Sequence, residues 1–243
     1  MAFTKNEMQD ELLKFMGDFA DSVERLYGTR VGESLSNERR IINSGLWRAV
    51  NEMYDYGILG IHDSSFGQDE TVDGSYADAE MFLTCIYRGG MKVYLEEDNV
   101  WIPSLSFKAV STAVARHVLE GGQRYTDFGW ADGHGSGDGD YLTLSEIALL
   151  ADMDERSVRN AANPKLNDPL KTEAVGKRSL VTTQEAKRWL AGRKGFAPTQ
   201  FGSDIKKQVA TKTIDLPSDI AEQLNIKAEQ AGLSVAEFIK AVI

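Results

Sequence analysis

The run Tyr141-Leu142-Thr143-Leu144-Ser145-Glu146-Ile147-Ala148-Leu149-Leu150-Ala151-Asp152-Met153-Asp154-Glu155-Arg156-Ser157-Val158-Arg159-Asn160-Ala161-Ala162 carries more structural information than any other part of this chain. Thr143 or Ser145 is placed to cap a first helix over roughly 145–151. Asp152-Met153-Asp154 is a tight turn. Asp154 can cap a second helix over roughly 155–162, which Asn163-Pro164 ends. Ile147, Ala148, Leu150, Met153 and Val158 are the set expected to be buried between the two helices, with Ala148 small where they cross. This is helix-turn-helix spacing.

Reading outward, Leu170-Lys171-Thr172-Glu173-Ala174-Val175 and Ser179-Leu180-Val181 form two short strands around the basic tip Gly176-Lys177-Arg178. A third helix follows over Thr182-Thr183-Gln184-Glu185-Ala186-Lys187-Arg188-Trp189-Leu190. Thr182 or Thr183 caps it, and Trp189-Leu190 packs back into the core. The order helix, turn, helix, basic hairpin, helix over 141–196 resembles the MerR and excisionase group of small winged helix-turn-helix DNA-binding domains. One departure is Asp152, where many such turns carry Gly, so this Asp must accept a left-handed backbone.

The resemblance implies double-stranded DNA as partner. The second helix would enter the major groove, with Arg156, Ser157, Arg159 and Asn160 facing base edges. Lys171, Lys177 and Arg178 of the wing, with Arg193 and Lys194 beyond the last helix, would meet the backbone or the minor groove. Asp154 and Glu155 oppose this, because they would face phosphate unless one of them is the cap.

Charge is distributed accordingly. The chain has 243 residues and a formal net charge of −10, which argues against nucleic acid as a partner of the whole surface. Residues 1–140 carry 12 basic and 24 acidic side chains, whereas 141–243 carry 15 and 13. Within 171–207 there are nine basic groups and only three acidic ones, so a polyanion would meet one segment.

The N-terminal half reads as helical. Met8, Leu12, Leu13, Phe15, Met16, Phe19, Ala20, Val23 and Leu26 recur at helical spacing over 5–27, and Gly28 is a plausible C-cap. A second helix starts near Ser34 or Asn37 and runs to Tyr56, ending at Gly57. Residues 63–74 read as a polar loop, 76–88 as a helix, 91–102 as a short hairpin and 105–120 as a helix. The alternation of Asp and Gly over 132–140 reads as a linker. Starting a calcium loop at Asp132 would put Thr143 where the bidentate acid belongs, so a calcium site is disfavoured.

No catalytic motif is present in 1–130: no P-loop, no HExxH, no Gly-x-Ser-x-Gly. His62 and His117 are isolated. Tyr54, Tyr56, Tyr76, Tyr87, Tyr94, Trp47 and Trp101 at helical spacing read as core rather than as the lining of a ligand pocket. The single cysteine, Cys85, rules out an internal disulfide and a thiolate-built zinc site. With no long apolar run and a polar start, a cytoplasmic protein without a membrane span is expected.

The end of the chain is strand-like over 210–217, then helical from Ser218 or Asp219, with a turn at Ala231-Gly232-Leu233-Ser234 and a last helix over 235–243. It resembles the ribbon-helix-helix dimers of the CopG and Arc type. That likeness implies a homodimer, since one such unit cannot bury its core alone, and would turn Thr211, Thr213 and Asp215 toward DNA.

The expected fold class is therefore mainly α. It comprises an acidic helical domain (1–130), a Gly/Asp linker (131–140), a winged helix-turn-helix (141–196), a second linker (197–210) and a strand-helix-helix segment (211–243). The expected function is sequence-specific DNA binding, as a transcriptional regulator and not an enzyme, with no cofactor and no metal. The alternative is an adaptor whose acidic N-terminal domain binds a protein or small-molecule partner, with the helix-turn-helix serving only as structure.

Overall fold

The computed structural model describes residues 3–27, 36–62, 70–89, 91–97, 100–122, 141–201 and 227. Residues Met1–Ile205 form one compact unit and Lys206–Ile243 another. Of the second unit only Lys227, which is helical, is described, so the strand-helix-helix expected over 211–243 lies outside the described residues, as does the 131–140 stretch.

The first unit is mainly helical. In chain order it contains α1 (Lys5–Tyr27), α2 (Glu38–Ile42), α3 (Gly45–Gly57), β1 (Ile61–His62), α4 (Glu70–Arg88), α5 (Met91–Glu97) and α6 (Ser104–Leu119). There follow β2 (Tyr141–Thr143), α7 (Leu144–Ala151), α8 (Glu155–Ala161), β3 (Glu173–Val175), β4 (Arg178–Thr182), α9 (Thr183–Leu190) and β5 (Gln200–Phe201).

A first core gathers the apolar faces of α1, α3, α4 and α6. Met8, Leu12 and Phe15 supply the buried stripe of α1, and Val50, Met53 and Tyr54 that of α3. The start of α6 has Pro103 as its N-cap, which offers no side-chain hydrogen bond. Glu11 of α1 takes that role: its Oε1 accepts from the N–H groups of Leu105 (2.7 Å) and Ser106 (3.2 Å). A carboxylate at a helix N-terminus both fills orphan donors and meets the positive end of the helix dipole.

Three expectations are corrected here. The single helix expected from Ser34 or Asn37 to Tyr56 is two, because Ser44 adopts an extended backbone (φ −75°, ψ 154°) and its side chain accepts from the Trp47 N–H. A serine that caps a new helix in this way interrupts the old one. Residues 70–74, expected in a loop, are the first turns of α4; Gly74 inside a helix is disfavoured locally but tolerated. The hairpin expected over 91–102 is replaced by α5. Only Leu95 of its alternating apolar residues is buried, while Met91 and Val93 stay exposed, so period-two burial never develops.

A second core is built from Leu142, Ile147, Leu150, Val158, Leu170, Val181, Trp189 and Leu190, and it takes in Ala115, Val118 and Leu119 from the end of α6. Thus α6 belongs to both cores. β2, β4 and β3 form an antiparallel sheet in that order, with Leu142 opposite Val181 and Ala174 opposite Ser179.

Beyond α9 the chain returns to the first core, where β5 pairs in parallel with β1. Residues 197–201, which open the stretch read as a second linker, lie in this contact. Arg116, only 1% exposed, holds the crossing together. Its Nε and Nη2 donate to the Gly57 carbonyl at the C-terminal end of α3, at 3.2 and 3.0 Å, and its Nη1 donates to Thr199 Oγ1 at 3.0 Å. A buried guanidinium with directed acceptors avoids much of the cost of burying charge.

Candidate nucleic-acid interface

The entry to α7 is set by Thr143. Its hydroxyl accepts from the Glu146 N–H, and the Glu146 carboxylate accepts in return from the Thr143 N–H at 2.7 Å, a complete capping box. α7 ends at Asp152, whose backbone is left-handed (φ 48°, ψ 48°). Lys108 of α6 explains what an Asp does in that place: its Nζ lies 3.1 Å from Asp152 Oδ1, which fastens the turn to α6. Burial works against the charge on Asp152, the hydrogen bond and charge of Lys108 favour it, and the carboxyl lies below its ordinary range. Met153, expected in the buried set, is 36% exposed and sits in the turn; Ile147, Ala148, Leu150 and Val158 are buried.

Asp154 is the cap of α8. Its Oδ1 accepts from the Ser157 N–H at 2.8 Å and its Oδ2 from the Ser157 hydroxyl at 2.5 Å. These bonds to the charged form lower its pKa. Ser157, expected at base edges, therefore spends its hydroxyl on the cap. Glu155 is engaged on both oxygens, with Ser145 Oγ at 2.6 Å from Oε2 and Arg159 Nη2 at 2.5 Å from Oε1. The Ser145 bond is the largest reason its pKa is lowered; burial opposes it, and the hydrogen bond and charge of Arg159 add smaller effects in the lowering direction. The two acids that would oppose a polyanion are thus a helix cap and one member of an ion pair.

Val158 anchors the inner face of α8 with no exposed surface. Arg156, Arg159 and Asn160 are exposed. Arg156 and Asn160, four positions apart, share one outward face. Among the described residues, neither of these two side chains has a hydrogen-bond or ion-pair partner.

The hairpin turns at Gly176 (φ +58°), a conformation glycine adopts without strain, and places exposed Lys177 at the tip. Arg178, half-buried, opens β4 opposite Val175. The base of the hairpin is clamped by Arg188, which the sequence reading did not single out. It donates to Glu185 Oε1 and Oε2, both at 2.7 Å, to Asp168 Oδ1 at 2.6 Å and to the Pro169 carbonyl at 3.2 Å. Glu185 also accepts from the Lys171 N–H at 2.9 Å, and its pKa is lowered, first of all by Arg188. The i,i+3 spacing of Glu185 and Arg188 on a capped helix was the signal available for this clamp.

The Lys171 side chain is exposed on the same hairpin. Arg193 stacks its guanidinium 3.9 Å above the centre of the Trp189 ring, whereas Lys194 is exposed. Exposed Lys165, just past α8, is a further cation the sequence reading passed over. Among the described residues no group of three or more His, Cys, Asp or Glu is placed to hold a metal, and no helix is long and apolar enough to cross a membrane.

Comparison with protein-family models, with curated proteins and with solved structures gave no match to this chain.

Proposed function

We propose that this chain is a cytoplasmic, sequence-specific DNA-binding protein that acts as a transcriptional regulator through a winged helix-turn-helix over residues 141–196. The observation that carries the reading is the outward face of α8. Arg156 and Asn160 stand there side by side, with no side-chain hydrogen-bond or ion-pair partner among the described residues, on a helix capped at its start by Asp154 and fixed below by Val158. Arg pairs with the guanine edge and Asn with the adenine edge in the major groove. Lys177 at the hairpin tip, with Lys171 and Lys194, would bind phosphates and fix the register. The tail over 211–243 is proposed to pair two copies of the chain, so that two half-sites are read together.

The test is direct. Replacing Arg156 or Asn160 by Ala should weaken binding to the selected site by about 1–3 kcal/mol per base contact, and relax the preference at one base pair each. Lys177→Ala should weaken binding to all sequences alike. Unchanged site affinity in both α8 variants, with folding intact by circular dichroism, would reject the reading.

A second reading, a protein-binding role for the N-terminal core, is favoured by Trp101 and Val93, which are 61% and 60% exposed. Lack of any salt-dependent affinity for duplex DNA would move the assignment to it.

A further inference from the structure

We infer that Glu155 is a specificity-determining residue, which withholds the Arg159 guanidinium from the phosphate backbone until a matching site competes for it. The inference rests on reading α8 as the base-contacting helix. The two arginines of α8 are held differently. Arg156 has no protein partner among the described residues, whereas Arg159 is bound to Glu155 Oε1 at 2.5 Å. Glu155 is not a loose surface acid: its other oxygen takes the Ser145 hydroxyl at 2.6 Å, so a residue of α7 helps to aim a carboxylate of α8 at Arg159.

The side chains of Arg159 and Glu155 are 69% and 43% exposed. An exposed pair of this kind is weak enough to be displaced by a phosphate or a base edge, yet close enough to neutralise the cation while it is intact. Non-specific attraction to DNA grows with the number of cations that reach phosphates, and it falls with salt in proportion to that number. One conditional cation therefore lowers affinity for the wrong sequences and leaves the right site its full set of contacts. Specificity is a difference of affinities, and a repulsive or withheld element serves it as well as an attractive one.

The experiment is a double-mutant cycle of Glu155→Gln, Arg159→Ala and both together. Binding to a short mixed-sequence duplex is measured over a sodium chloride series with the full chain. Thermal unfolding of each variant confirms the fold. Glu155→Gln should raise non-specific affinity roughly three- to ten-fold at low salt and steepen the log–log salt slope by about 0.9, the value of one added phosphate contact. Arg159→Ala alone should change little, and in its background Glu155→Gln should lose most of its gain. An equal gain with and without Arg159 would mean simple removal of a negative charge, and would overturn the inference while leaving the DNA-binding reading in place. No salt-dependent binding by the unmodified chain would overturn both.

Discussion

Asp154 shows how much one side chain settles at the start of α8. Both its oxygens are taken by Ser157, and both bonds favour the ionised carboxyl, so its folded pKa is depressed. A group depressed in this way contributes stability that is present above its unfolded value, about 3.9, and lost as pH falls through the folded one. Glu155 and Glu185 are shifted in the same direction. Thermal stability should therefore fall as the pH is lowered below about 4. Asp154→Asn can still accept from the Ser157 N–H but no longer titrates, and should show a shallower fall over the same pH series. Equal slopes for the two proteins would contradict the assignment of Asp154 as the charged cap. The cap was legible in the sequence because an Asp immediately before a helical run has few other uses. The left-handed Asp152 was legible too, but its partner was not. Lys108 lies 44 positions away, and no local pattern links the two.

At the scale of elements, α3 and α6 approach each other closely at Gly57. A Cβ added at Gly57 would stand 2.6 Å from the Ala113 nitrogen and 3.0 Å from the Ala109 carbonyl oxygen. Backbone cannot yield as a flexible side chain does, so Gly57→Ala must push the helices apart. It should cost about 1–3 kcal/mol in denaturant unfolding, as overpacked cores do, and it would also move the carbonyl that accepts from Arg116. Unchanged stability would contradict the close packing described for this crossing. Periodicity made α1, α6, α7, α8 and α9 readable because each has an apolar stripe with a cap or a stop. Gly57 was read only as a stop, although it also provides a close approach. α5 was misread because Met91, Val93 and Leu95 alternate, while which of them is buried depends on neighbours distant in sequence. β2 and the β1–β5 pair are too short to announce themselves and exist through their partners.

For the molecule as a whole, α6 is the shared member. Its Ala109, Val110 and Ala113 belong to the first core, and Val118 and Leu119 to the second. At its C-terminal end Glu120 accepts from Lys187 of α9 at 3.1 Å and from Thr199 at 2.8 Å, and Thr199 in turn accepts from Arg116. The base-reading face proposed for α8 is therefore carried on a body continuous with the acidic helices rather than on a separate head. The opposition of an acidic N-terminal half to a basic 171–207 stretch is visible in sequence alone. That Asp154 and Glu155 are consumed by Ser157, Ser145 and Arg159 is not, since it needs the side-chain geometry. The most direct measurement is selection of the purified chain on random-sequence duplex DNA at two salt concentrations, with sequencing of the bound pool. The account predicts an enriched motif, repeated as two half-sites, that survives at the higher salt, where contacts limited to phosphates weaken. A bound pool with no enriched sequence, lost at the higher salt, would contradict it.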